Sequence, residues 1–116
     1  MIRFTIPHLP GLNVDTRRRH WAVQHKEAER WKWLVFGATV THRRTHPIRK
    51  ARVVLTRVSS RQPDYDNLVA SFKPVLDALV KNNMLAGDSP DVFEGGHPEY
   101  LWRKGKSGIE VEVWPL

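Results

Sequence analysis

Asp66-Asn67-Leu68-Val69-Ala70-Ser71-Phe72-Lys73-Pro74-Val75-Leu76-Asp77-Ala78-Leu79-Val80-Lys81 carries the period of a helix. Leu68, Phe72, Val75, Leu76 and Leu79 recur three and four residues apart and form one apolar stripe. Asp66, Lys73 and Asp77, at i, i+7 and i+11, fall on a second, charged stripe. Pro74 has no N–H to give the Ala70 carbonyl, so a bend or break is expected there. A helix apolar on one side needs an apolar surface to cover, and the flanking segments supply it.

Upstream, Ile48 to Val58 reads as a strand, with Val53, Val54, Leu55 and Val58 as its β-branched and aliphatic content. Downstream, Gly87-Asp88-Ser89-Pro90 is a turn and Glu99 to Arg103 a strand. Lys104-Gly105-Lys106-Ser107-Gly108 is a second turn. Ile109, Val111 and Val113 then alternate with Glu110 and Glu112 as the clearest strand of the chain. These last two strands are expected to form a hairpin. Towards the N-terminus, a helix runs from about Trp21 to Thr41 on Trp31, Leu34, Val35 and Ala38. Ile2, Phe4 and Ile6 alternate as a first strand, ended by Pro7, Pro10 and Gly11, with a loop to about Arg19. Strand–helix–strand–helix–strand–strand implies an α/β domain of the α+β kind, a small mixed sheet with two main helices, single over 1–116. The tryptophans read as core or dimer-interface residues.

Charge divides the chain. Residues 1–62 hold 14 Lys and Arg against 3 Asp and Glu, and residues 63–116 hold 5 against 9; the net charge is +7. The first part suits a polyanion, and Arg17-Arg18-Arg19-His20-Trp21 sets three guanidiniums beside an aromatic ring. Nucleic acid is the partner this implies. There is no cysteine, hence no disulfide, thiolate metal site or Cys nucleophile. No apolar run is long enough for a membrane span and the N-terminus lacks the apolar core of a signal peptide. An intracellular protein fits these features.

Acid within this basic chain carries the chemistry. Arg61-Gln62-Pro63-Asp64-Tyr65-Asp66-Asn67-Leu68 sets two aspartates one residue apart, and Asp88 and Asp91 add carboxylates from a second segment. One aspartate alone would be read as a helix cap. Two, followed by Asn67, exceed what a cap needs. If 64–66 were extended, both carboxylates would share a side. Carboxylates amid positive charge suit a cation beside a phosphate, as a metal-dependent nuclease requires. Hard oxygen donors without Cys favour Mg²⁺, with Mn²⁺ able to substitute. An EF-hand does not fit, since its ligand spacing and final Glu are absent. His42 and His46 lack the glutamate of H-E-x-x-H and lie beside Arg43 and Arg44, so they read as basic surface rather than a zinc site.

Pro63-Asp64-Tyr65-Asp66-Asn67-Leu68, Lys73-Pro74-Val75-Leu76-Asp77-Ala78-Leu79 and Gly87-Asp88-Ser89 together resemble the RusA family of Holliday junction resolvases. The likeness is specific over about residues 61–92, and extends loosely to Pro10, Asn13 and Arg17–Arg19. It implies that Asp64, Asp66 and Asp88 are metal ligands and that Lys73 is the catalytic lysine. It further implies that Asn67, Lys73 and Arg17–Arg19 contact DNA. The substrate so implied is a four-way DNA junction, cut by paired symmetric nicks in recombination and repair. Two nicks in related strands imply a C₂ homodimer, and the family implies a cytoplasmic protein of bacterial or phage origin. Gly87 stands where the family has the first aspartate of its acidic turn. The stretch between Asn67 and Asp77 is about one helical turn longer than in the shortest members. Gly87 also favours an alternative: a weakened or inactive branched-DNA-binding module of the same fold. A third reading is a family nuclease acting on other branched or flap DNA.

Overall fold

The computed structural model describes residues 1–12 and 21–116. Arg17, Arg18 and Arg19 therefore lie outside the described residues. The described elements run β1 (Ile2–Ile6), α1 (Trp21–Ala38), β2 (Ala51–Ser59), α2 (Tyr65–Ser71), α3 (Lys73–Lys81), β3 (Glu99–Lys104) and β4 (Gly108–Pro115), with short 3₁₀ turns at Val40–His42, Pro90–Val92 and Glu94–Gly96. The mixed α+β class holds, and no helix among the described residues is long and apolar enough to cross a membrane.

The expected second helix forms as two segments. Phe72 ends α2 at φ −84°, ψ −3°, and Lys73 and Pro74 open α3. Pro74 is thereby placed in a first helical turn, where its missing N–H leaves no bond unmade. The apolar stripe survives the bend, since Leu68, Phe72, Val75, Leu76 and Leu79 are all buried. They pack on the sheet together with Trp31 and Val35 of α1.

The strand order is β1-β4-β2-β3. This corrects the expected terminal hairpin: β3 and β4 follow each other in sequence but do not pair. β3 lies parallel to β2 and β4 lies antiparallel to it, so β2 separates them. Burial supplies the reason. Ala51, Val53, Val54, Leu55 and Val58 are buried, so β2 needs neighbours on both sides, whereas Glu99, Leu101, Arg103 and Lys104 of β3 are exposed, as an edge strand tolerates. The connection must cross the end of β2, spanning two strand spacings of about 4.8 Å each.

Two glycines permit that crossing. A Cβ on Gly105 would stand 2.9 Å from Val58 Cγ1, and one on Gly108 2.9 Å from the Ile6 carbonyl oxygen. The Gly105 N–H donates to the Ser59 carbonyl at 3.2 Å, fixing the path. The side chain of Val58 can rotate; the backbone of β1 cannot yield without disturbing its pairing with β4. Gly108→Val is therefore expected to destabilise by about 1–3 kcal/mol, in the range of overpacked sites. A thermal melt that matches the wild type would remove the steric argument.

Candidate functional site

Asp64 takes the N-cap position of α2, at φ −61° and ψ 147°, but its side chain makes no capping hydrogen bond. Its carbonyl oxygen accepts the Leu68 N–H at 2.9 Å. The helix begins at Tyr65, so 64–66 is not an extended run and the shared-side condition is not met. Asp66 lies instead in the first turn, where the helix dipole favours a carboxylate. Both aspartates are exposed. The N-cap position explains where Asp64 sits, yet its carboxylate makes no hydrogen bond or ion pair among the described residues.

Lys73 opens α3 and meets acid from two directions. Its Nζ lies 3.2 Å from Asp77 Oδ1, one turn along, and donates to Asp88 Oδ2 at 2.9 Å. Asp88 is carried there by a well-anchored segment. Met84 and Leu85 are buried, the Ile48 N–H donates to the Met84 carbonyl at 3.1 Å, and the Ala86 N–H donates to the Ile48 carbonyl at 2.9 Å. The hydrogen bonds from Asp88 and then Asp77 hold the Lys73 ammonium above its ordinary value, and Lys73 in turn holds Asp88 below the usual carboxylate value. Lys73 is thus a fixed cation at neutral pH, which suits charge compensation and excludes it as a resting general base.

The sign of the pH dependence follows from those directions. The Asp88 contribution is present above its unfolded value of 3.8 and is lost as pH falls through the depressed folded value. The Lys73 contribution is complete below 10.5 and is lost as pH rises through the raised one. The side chains are 64% and 45% exposed, so solvent screening keeps the pair near about 0–1 kcal/mol. Lys73→Met is expected to lower the melting temperature slightly at neutral pH. Its difference from wild type should vanish in acid below Asp88's depressed value. A large loss at neutral pH that persisted in acid would contradict a surface pair.

As donors, Asp64 and Asp66 fit a hard cation: both are exposed carboxylates with no capping hydrogen bond and no ion pair among the described residues. Asp88 faces Lys73 instead, and no group of three or more His, Asp or Glu side chains is gathered as a ligand set among the described residues. Asp91 accepts a hydrogen bond from Ser89 Oγ, which lowers its carboxyl below the usual range. It is engaged within its own turn. A Cβ on Gly87 would meet only Val92 Cγ2, at an ordinary 3.9 Å.

Sequence reading missed a cavity of about 850 Å³ beside these groups. It is lined by Gly11 and Leu12, by Trp21 and His25 in the first turns of α1, by Asn67, Lys73 and Asp77 of α2 and α3, and by Tyr100 of β3. The Tyr100 ring lies 6.0 Å from that of Phe72, at the bend between α2 and α3. Burial pushes the Tyr100 phenol up, so it stays protonated at neutral pH. Tyr100 and His25 carried no motif; only folding brings them to Asn67.

Comparison with protein families, curated proteins and solved structures gave no match. The functional reading therefore rests on the residues themselves.

The basic surface needs one correction. Arg57, counted among the cations available to a polyanion, is only 5% exposed. It alternates with Leu55 and Ser59, which are also buried, and its Nη1 donates to the Pro10 carbonyl at 2.7 Å. Its Nε has no hydrogen-bond partner among the described residues, and burial lowers its pKa. Arg52 pairs with Glu99 at 3.0 Å and Arg103 with Glu110. The tryptophans also divide: Trp31 is fully buried, whereas Trp33 is 59% exposed and stacks edge-on with Phe36.

Proposed function

We propose that this chain is a metal-dependent, structure-selective endodeoxyribonuclease of RusA type that nicks four-way DNA junctions. The observation that carries the reading is Lys73, an ion-paired cation on the helical unit whose N-cap and first turn present Asp64 and Asp66, neither with a side-chain partner among the described residues. Mg²⁺ or Mn²⁺ bound there would polarise a phosphodiester and activate a water. The chain's own residues orient the substrate. Lys73 offsets charge that grows on the phosphate, Asn67 donates to DNA from the cavity edge, and the cations of residues 1–62 draw in the backbone with a steep salt dependence. A homodimer would bring two such sites to two related strands, in the cytoplasm of a bacterium or from a phage.

A second reading has its own support. Asp88 is occupied by Lys73, and Gly87 supplies no carboxylate. Both favour a branched-DNA-binding module with weak or no cleavage. The deciding assay incubates a synthetic four-way junction and a matched linear duplex with Mg²⁺, Mn²⁺ or EDTA. Paired, metal-dependent nicks in the junction alone support the nuclease. Tight junction binding without cleavage under any metal supports the binding module.

Gly87→Asp tests the same point from the other side. The position is open and its φ is not in the left-handed region, so the change should fold normally. If a missing carboxylate limits the metal site, the variant is expected to need about 10-fold less Mg²⁺ for half-maximal cleavage, in the range by which groups supporting a metal site alter affinity. An unchanged Mg²⁺ requirement would show that residue 87 is irrelevant to metal binding.

A further inference from the structure

We propose that the cavity between α1 and the α2–α3 unit is a subsite for one unpaired nucleobase of a DNA strand, with its phosphates left outside. This rests on the nucleic-acid reading above but not on cleavage. The volume of about 850 Å³ is in the range of organic ligand sites, and it has apolar surface from Ala70 and Leu76. Tyr100 contributes an aromatic ring to the lining, in tilted contact with the buried ring of Phe72. Bases of any sequence stack on such a ring. The Asn67 amide and the His25 imidazole also line it, and neither makes a side-chain hydrogen bond among the described residues. An amide offers a donor and an acceptor side by side, the pairing that a base edge presents in return.

Charge decides which part of a nucleotide enters. Lys73 is countered by both Asp77 and Asp88, and Glu27 on the cavity wall adds a further carboxylate. A phosphate is not drawn into such a lining; a neutral, planar, hydrogen-bonding heterocycle is. Asn67 follows Asp66 directly, so a base held by the amide would keep its strand beside the acidic pair. A duplex offers no unstacked base, whereas a branch point or a single strand does. The cavity would then favour branched over linear DNA at the binding step.

The test compares two five-residue strands by fluorescence anisotropy in EDTA with the full chain. One is pentathymidylate and the other an abasic analogue with the same phosphates. The base-bearing strand is expected to bind at least about tenfold tighter, the order that a single stacked base provides. Ala70→Phe, on an exposed helix position that lines the cavity, should fill the space and erase the difference. Binding of the abasic strand should not change. Asn67→Ala, which fills nothing, should narrow the difference severalfold. Equal affinity of the wild type for both strands overturns the proposal, as does a base preference that survives Ala70→Phe in a folded variant. Free thymidine binding as tightly as pentathymidylate would overturn the assignment to a strand. A base preference in a chain that never cleaves leaves this subsite standing while the nuclease reading fails. Cleavage without any base preference does the reverse.

Discussion

Asp66→Asn is expected to reduce junction cleavage by at least about 100-fold, since metal activation is worth several kcal/mol and each 1.4 kcal/mol is tenfold in rate. Asparagine keeps the size and one oxygen of aspartate but removes the charge that would hold a hard cation. The fold has no stake in that charge: Asp66 is exposed, in the first turn of α2, and its loss from a helix N-terminus costs only about 0.3–1 kcal/mol. Junction binding in EDTA should be equal or tighter, because one repulsion towards phosphate is gone. Cleavage at the wild-type rate would end the metal-site assignment. Loss of binding together with cleavage would show that Asp66 shapes the protein rather than its chemistry.

Trp31→Ala is expected to have the largest effect on stability. Trp31 is fully buried in the core, and its Nε1 donates to Glu27 Oε1 at 3.0 Å. Truncation removes the ring from a packed interior and leaves a cavity, for which about 3–5 kcal/mol is usual. A domain of this size has about 5–15 kcal/mol in all. The variant should therefore lose about a fifth or more of its stability and unfold at much lower denaturant. Trp33→Ala, on the exposed face two residues on, is the control and should stay within about 0.5 kcal/mol. Equal midpoints for the two variants would mean that the burial of Trp31 carries no weight.

Periodicity made the elements legible. Ile2–Ile6 was read with its observed limits, and the bend near Pro74 follows from a missing N–H, a purely local cause. Partner choice was not legible. Alternation at Ile109–Val113 reports two faces but not which strands lie alongside, and a short turn before it suggested the nearest one. The glycines that let the chain cross β2 look like any turn glycines until the opposing atoms are known. Arg57 shows the same limit: composition counts a charge, and only the sheet register shows which face it takes.

At the site, the motif brought Asp64, Asp66, Lys73 and Asp88 to notice, and folding joins two of them directly. The Lys73–Asp88 contact spans fifteen residues and depends on the Ile48–Met84–Ala86 hydrogen bonds, which no local pattern encodes. The cavity is less legible still, because its walls come from four separate parts of the chain.

The register Ile2↔Val113 has a consequence for how the molecule is made. Among the described residues β1 pairs with β4 alone, so the first of the four described strands to be synthesised finds its partner in the last of them. Until then Ile2, Phe4 and Ile6 have an apolar face and no ladder to join. Contacts so distant in sequence slow folding. Nascent chains halted before β4 should accordingly engage chaperones and resist compaction, even with every residue of the acidic motif already synthesised.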